Sequence, residues 1–519
     1  MIPERSRKFL QALLILFVVS GCAAPVQAPP TSLDSTVALD LYSTSTPTPF
    51  QPVANTPLPT PLPTKTPTPL PTSTPLPTYT PLPPTRMPAA ETDQASYIFL
   101  VDLDYANHQL AIDETIQYPN QTGEQLNTLV LAVEPNRWMG VFRLNQLSVD
   151  GLETNDYSLV DGRMEVILAN PLAVGDSLNL KLDYDLYLPW NGADQIFGYN
   201  NWQINVVDWY PFIVPHVSGT GWLLYEPASV GEHLVMDSVD FDVTILQSNG
   251  STDLSIAANA PAELVGNGIR YRLSGARTFV FSASNGYVTS SATVGDVTVT
   301  SYYAEGNKKA GEAILNATVE AIGVFSDVYA PYPYKTLSIV ETFYPDGMEY
   351  DGLFYLSRSF YDDFDGTLLN NLIMIGIHEA AHQWWFGLVG NDQAMEPWLD
   401  EALATYSERI FYERFSPGVD GVWWNFRVND FQPTGKIDIS IYQGGMFRPY
   451  TDAVYLRGAK FMENVRTRVG DEVFFAFIRD YATQMGHKIA TADDFFRILY
   501  SHSSADISDI VATYFQNPH

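Results

Sequence analysis

The sequence predicts a multidomain α+β chain, with an N-terminal all-β, sandwich-like domain followed by a mostly helical one. Three observations predict it. From about Gln94 to Thr300 apolar and polar residues alternate with period two, broken at short intervals by Gly and Asn/Asp turns. From about Ser301 the apolar spacing changes to three- and four-residue steps. Before Gln94 the chain is rich in Pro and Thr and carries no core-forming pattern. The expected boundaries are 1–22 for a leader, 23–93 for a disordered linker, 94–300 for the β domain and 301–519 for the helical domain.

Residues 1–22 read as an address rather than a part of the fold. Arg5, Arg7 and Lys8 precede an apolar run, Phe9 to Val19, that is too short for an ordinary membrane span. This is the pattern of a signal peptide. The run ends in Val19-Ser20-Gly21-Cys22, which resembles the lipobox of bacterial lipoproteins. That resemblance implies a lipidated Cys22 and an extracytoplasmic protein, lipid-anchored to the bacterial cell membrane or cell surface. Cys22 is the only cysteine, so no disulfide can form within one chain. Ser43 to about Pro88 repeats Pro and Thr, with Lys65 and Arg86 as its only charges. Such a segment favours polyproline II, and roughly 45 residues reach on the order of 140 Å when extended, so a spacer is expected.

The remaining stretch of about 425 residues suffices for two or three domains with substantial cores. The chain carries 59 Asp and Glu against 28 Lys and Arg, a formal charge of −31. Phosphate binding needs a basic face, which argues against nucleic acid as a partner. In the β domain Val101 to Tyr105, Leu178 to Leu182 and Val239 to Ile245 alternate, and Ile269, Tyr271 and Leu273 share a face opposite Arg270 and Arg272. No amphipathic helix of ten residues is expected there. His108, His216 and His233 lack ligand spacing and are expected at the surface or in packing.

The helical domain is expected to open with a helix over Gly311 to Val328 and a strand over Lys335 to Thr342. Its centre is Asn371 to Ser407, NLIMIGIHEAAHQWWFGLVGNDQAMEPWLDEALATYS, in which His378, Glu379 and His382 form H-E-x-x-H. On a helix, residues four apart face the same way. Two neutral imidazoles on one face suit zinc, which takes four ligands and keeps one position open for water in catalytic sites. A third ligand is then needed. Glu401 lies nineteen positions after His382 in WLDEALATY, which also reads as a helix, with Pro397 in its first turn. Gly390-Asn391-Asp392 marks a turn between the two helices, so a helical hairpin would point Glu401 back at the histidine pair. A three-position pattern recurs by chance. Yet two histidines and a glutamate beside the apolar run Leu372 to Ile377 would be costly to bury without a partner, and a metal supplies one.

HEAAHQWWFGLVG followed by EPWLDEALATY resembles the zinc site of peptidase family M1, the gluzincin aminopeptidases, whose pattern is H-E-x-x-H, eighteen residues, then E. The resemblance implies a thermolysin-like, mostly helical zinc peptidase domain, one Zn2+ per chain held by His378, His382 and Glu401, and peptide substrates. FYPDGMEY, Phe343 to Tyr350, resembles the family's G-x-M-E-N motif, with Asp346 in place of the first glycine and Tyr350 in place of the asparagine. It implies that Glu349 binds a substrate's free amine and that Gly347 and Met348 lie along the peptide. VYLRGA, Val454 to Ala459, resembles V-Y-E-K-G-A and implies that Tyr455 donates a hydrogen bond to the tetrahedral oxyanion. Residues 208 to 244 resemble part of the family's β domain. The chain stops about sixty residues past Tyr455, so the long helical C-terminal domain of larger members is expected to be missing and the site more open. His487, His502 and His519 are not in ligand positions.

The chemistry expected is zinc-dependent peptide hydrolysis. Glu379 directly follows His378 and does not read as a ligand of the same ion. It is placed to take a proton from water and pass it to the leaving amine. Glu408, seven positions past Glu401 and so two helical turns along, is placed to orient a ligand histidine. The leading expectation is an aminopeptidase. An endopeptidase on the same fold is one alternative. Another is a zinc-containing surface protein that binds peptides without cutting them, although such a binder needs neither Glu379 nor Tyr455. No pattern sets the oligomeric state or the side-chain preference.

Overall fold

A computed structural model describes residues 94–192, 195–247 and 254–519. The leader, Cys22 and the linker lie outside the described residues. The first part is built on an eight-stranded sheet in the order Ala262–Val265, Gly268–Ala276, Val239–Gln247, Ser96–Asp104, Gln109–Pro119, Ser177–Tyr187, Phe142–Val149, Leu152–Glu153. Neighbours are antiparallel except for Ser96–Asp104 with Val239–Gln247, which are parallel. All four period-two runs lie on these strands, and their inward residues, among them Val101, Leu103, Leu180, Leu182, Val243 and Ile245, are buried. Trp209 and Tyr210 pack under this face, with ring centroids 5.0 Å from Phe99 to Trp209 and 6.0 Å from Tyr97 to Tyr210. Two four-stranded sheets and a two-stranded one, His216–Val217 with Gly221–Trp222, complete this part among the described residues. Its one helical element among the described residues up to Tyr303 is the 3-10 turn Glu134–Arg137.

One inward position is not apolar. Glu114, on Gln109–Pro119, is fully buried near Tyr97 and Tyr184. Burial pushes its carboxyl well above the usual carboxylate range, with the nearby Tyr184 hydroxyl a smaller, opposing influence.

The second part has a five-stranded sheet in the order Val288–Val294, Val297–Tyr303, Thr336–Thr342, Leu353–Ser357, Gly347–Tyr350. The boundary expected at 300/301 therefore falls inside a strand, and the hairpin from Val288 belongs to the second sheet. The period-two signal of that hairpin carried the β reading past the real change of layer. The helix Lys308–Val328 packs on this hairpin and on the helix Asn371–Ala381. A second difference concerns the expected turn at Gly390. Gly390–Asn391 is instead a short strand, parallel to Ile489–Ala490. Pro397 stands just before the helix Trp398–Phe415. No helix among the described residues is long and apolar enough to cross a membrane.

Arg277 and Asp351 join the two parts. Arg277, 3% exposed, donates from its guanidinium to the carbonyls of Phe386 (2.7 Å), Met236 (2.7 Å) and Lys488 (2.8 Å). The backbone N–H groups of Arg277 and Thr278 donate to Asp351 Oδ2 at 3.0 and 2.8 Å, and the Tyr334 hydroxyl donates to Oδ1. Asp351 directly follows the edge strand Gly347–Tyr350. The β-rich part thus fixes the strand and the turn that border the site.

The folded chain holds the Glu114 proton to higher pH than the unfolded chain, in which a glutamate ionises near pH 4.3. Its contribution is full below that pH and is lost as pH rises toward the folded value. Glu114→Gln should remove this loss. We expect its melting temperature at pH 8 to exceed the parent's by on the order of 2 °C, with the gap closing toward pH 4. An equal or lower value at pH 8 would refute the assignment.

Candidate active site

The helix Asn371–Ala381 starts where the Asn370 side chain accepts the Leu372 N–H at 2.9 Å. Leu372 to Ile377 are buried, which pins the helix and sets the direction of His378 and His382. His382 is the residue that ends the helix. Both imidazoles are oriented from behind. His378 Nδ1 donates to Glu408 Oε1 at 3.1 Å, and His382 Nδ1 donates to the Trp385 carbonyl at 2.9 Å. Glu408 is itself held by Trp423 Nε1 (3.0 Å) and by Arg427 Nε and Nη2 (3.2 and 3.1 Å). Burial pushes Glu408 up, but the Arg427 charge and the hydrogen bonds from His378 and Arg427 together outweigh it and hold the carboxyl below its usual range.

The Nε2 atoms consequently turn inward. His378 Nε2 and His382 Nε2 lie 3.1 Å apart, and Glu401 Oε2, from the helix Trp398–Phe415, lies 3.1 and 3.5 Å from them. Ligands about 2.0–2.1 Å from a tetrahedral zinc stand about 3.4 Å from one another. The three atoms are thus spaced as the ligand face of such an ion, and two nitrogens and one carboxylate oxygen are a donor set that zinc accepts. Burial raises Glu401, but the His382 charge and the hydrogen bonds from both histidines bring it down to about 2. His382 moves the other way. Burial lowers it, and the charges of Glu349 and Glu401 lift it well above its usual value. A metal ion must displace such a proton to bind.

Glu379 lies between this triangle and the edge strand, with a carboxylate oxygen within 4.8 Å of a ring nitrogen of His382. Its Oε2 is buried with no hydrogen-bond partner among the described residues. Burial, then the Glu349 charge, push the carboxyl well up. Gly347 makes room for it, since a Cβ there would stand 2.1 Å from Glu379 Oε1. Glu349, on the same strand face as Gly347, is 6% exposed, and one of its oxygens clusters with an oxygen of Glu379 and a ring nitrogen of His382. Gln393 Nε2 donates to Glu349 Oε1 (3.4 Å) and Asp400 Oδ2 (3.0 Å). Tyr455 arrives on a π-helical stretch, Asp452–Arg457, and donates its hydroxyl to Glu401 Oε1 at 2.7 Å. Gly458 permits this approach, because a Cβ there would lie 2.4 Å from the Ala402 Cβ. Burial and Glu401 keep the phenol protonated far above its usual range.

The structure therefore brings together His378, His382, Glu401, Glu379, Glu349, Gly347, Met348 and Tyr455 in one cleft of about 470 Å³, with Glu408 behind it. Several lining residues had no signal in the sequence pattern. Asp208, Glu232 and His233 come from loops of the β-rich part. His233, partly buried as expected, pairs with Glu134 at 3.3 Å and also lines the cleft. His108, stacked on Tyr199, and His216, against Trp222, are packed as expected. Burial and Glu349 push Glu232 well up, while burial and Glu134 raise Asp208 to about 7. No Lys or Arg lines the cleft among the described residues.

A family model described as "Peptidase family M1 domain" matches residues 313–514. Aminopeptidase M1-B of Oryza sativa subsp. japonica is 24% identical over 229 residues, 41% of this chain and 26% of that protein. Aminopeptidase N of Lactobacillus delbrueckii subsp. lactis is 24% identical over 288 residues, 51% of this chain and 34% of that protein. The chain thus spans about a quarter to a third of the length of these curated relatives. An M1 zinc metallopeptidase from Deinococcus radiodurans superposes with a TM-score of 0.58 at 16% identity, covering 83% of this chain and 96% of that one. A mutant of it, solved with a Tyr-Ser-Ala substrate, gives 0.58 at 16%, covering 83% and 97%. The β-rich part followed by a helical part is accordingly the fold of the two-part M1 zinc metallopeptidases, and residues 313–514 match that family's domain.

Proposed function

We propose that this protein is a zinc-dependent aminopeptidase that removes single N-terminal residues from peptides. One observation carries the reading. Three ligand atoms at metal spacing, an unpartnered buried carboxylate and a second buried carboxylate on a sheet edge share one cleft. His378, His382 and Glu401 would hold the ion, which supplies Lewis acidity toward the carbonyl and acidifies water. Glu379 takes the proton of the attacking water and returns it to the leaving amine. Its raised affinity for protons suits both halves of that task. The Tyr455 hydroxyl shifts its hydrogen bond from Glu401 to the developing oxyanion. Glu349, with Glu232 facing it from the β-rich part, receives the α-ammonium group. The edge strand Gly347–Tyr350 offers its free backbone edge along the peptide.

We further propose that the chain is a lipoprotein, tethered through Cys22 on the Pro/Thr-rich spacer outside the cytoplasm. The support is the sequence Val19-Ser20-Gly21-Cys22 after an apolar run.

The metal roles predict that purified protein holds about one zinc and that His382→Ala loses most of it by elemental analysis. Glu379→Gln should keep the zinc yet turn over at least about a hundredfold more slowly. Loss of zinc in a folded Glu379→Gln, or near-normal turnover, would overturn these roles. The amine role predicts that N-acetylated peptides are cut poorly beside the same free peptides, because an acyl group leaves Glu349 unpaired. Glu349→Ala should slow cleavage of free peptides far more than of acetylated ones. Equal cutting of both forms at internal bonds would replace the exopeptidase reading with the endopeptidase one. For anchoring, Cys22→Ser should appear in the soluble fraction once the leader is removed, and persistent membrane association would refute the lipid tether.

A further inference from the structure

We propose that Asp346 makes the cleft select peptides whose second residue, the one following the cut, carries a cationic side chain. The inference rests on the aminopeptidase reading and adds a class of substrate to it. A strand advances about 3.3 Å per residue, so Gly347 stands about 7 Å along the strand Gly347–Tyr350 from Glu349, and Asp346 directly precedes it. Between them lies Gly347, which abuts the Glu379 carboxylate. With the free amine at Glu349 and the cut bond beside Glu379, a peptide runs antiparallel to Gly347–Tyr350. Its leaving side then passes Gly347 and reaches Asp346.

Asp346 lines the cleft, and its Oδ1 accepts the Gly347 N–H at 3.0 Å. No ion pair holds its carboxylate among the described residues. Arg427, whose field reaches Asp346, is engaged in two hydrogen bonds to Glu408. Tyr344 and Met348, both partly buried and lining the cleft, give apolar surface for an aliphatic stem. No Lys or Arg lines the cleft among the described residues, so no lining ammonium or guanidinium group competes with an incoming one for Asp346. Burial lifts the Asp346 carboxyl to about 8, a strain that a bound cation relieves.

The test uses the full folded enzyme with zinc and four free tripeptides: Ala-Lys-Ala, Ala-norleucine-Ala, Ala-Glu-Ala and Lys-Ala-Ala. We expect kcat/KM for lysine at the second position to exceed that for norleucine by about tenfold, with glutamate below both. Asp346→Asn should bring the lysine-to-norleucine ratio close to one, and Asp346→Lys should invert it. The ratio compares two peptides on one enzyme, so a general loss of activity cancels. Dissociation constants measured calorimetrically on Glu379→Gln should show the same ratio, and lose it when Asp346→Asn is added. A ratio near one in the parent, a ratio kept by Asp346→Asn, or a preference confined to lysine at the first residue would overturn the proposal. If no free peptide is cut, the aminopeptidase reading fails by itself, and the calorimetric ratio still decides the role of Asp346.

Discussion

Five carboxylates lie buried around two imidazoles, and the surrounding architecture answers to that repulsion. Glu349, Glu379, Asp400, Glu401 and Glu408 are each at most 6% exposed. A buried charge costs several kcal/mol unless it is paired and hydrogen-bonded. Arg427 pairs with Glu408. Glu349, Glu379 and Asp400 are pushed toward their protonated forms, by burial before any other cause. Two positive charges placed where the Nε2 atoms meet Glu401 would offset the rest at one point. The metal reading therefore follows from the electrostatics of the cluster as well as from ligand spacing.

Packing holds the acidic faces together. Trp384, Trp385, Trp398 and Trp423 are fully buried around the two helices that carry the cluster. Trp385 Nε1 reaches Ser407 at 3.1 Å, tying the turn after His382 to the helix of Glu401. Immediately after it Phe386 adopts a φ of 149°, a conformation that L residues rarely adopt. Arg277 takes the carbonyl of that residue. Strain of this kind costs on the order of 1–3 kcal/mol and persists where the surroundings over-determine it. Here the surroundings belong to the β-rich part, which is thus a structural component of the site.

Periodicity revealed what depends on local spacing. The strands of the large sheet, the helix of His378 and the helix of Glu401 all carry period-two or helical patterns, so the fold class could be read, and so could the grouping of His378, His382 and Glu401 that the structure shows. Glu408 was also accessible, because two helical turns from Glu401 return to the same face. Glu232, Asp208 and Gln393 were not. They sit in loops, where no period marks direction, and they reach the cleft only through contacts between distant segments. The hairpin at Val288 misled for the opposite reason, since alternation reports a strand and says nothing of the sheet it joins.

The two departures in FYPDGMEY differ in kind. Tyr350 stands where the motif that the segment resembles has an asparagine, and the backbone of the strand end is held by Gln383. Gln383 Nε2 donates to the Tyr350 carbonyl at 2.9 Å, and Gln383 Oε1 accepts the Gly352 N–H at 2.8 Å. Gln383 directly follows His382, so the turn after the histidine helix sets the position of the edge strand. The Tyr350 ring is buried, and its hydroxyl reaches Asp208 at 3.4 Å, which ties the strand to the β-rich part. That substitution alters the mooring and leaves the strand in place. Asp346 does the reverse. It adds a carboxylate to the cleft wall where a glycine would present only backbone, and it leaves the Gly347–Leu356 pairing intact. On the aminopeptidase reading, a change that spares the strand register and adds an ionisable group to the lining would act on which peptide is accepted rather than on how the bond is broken.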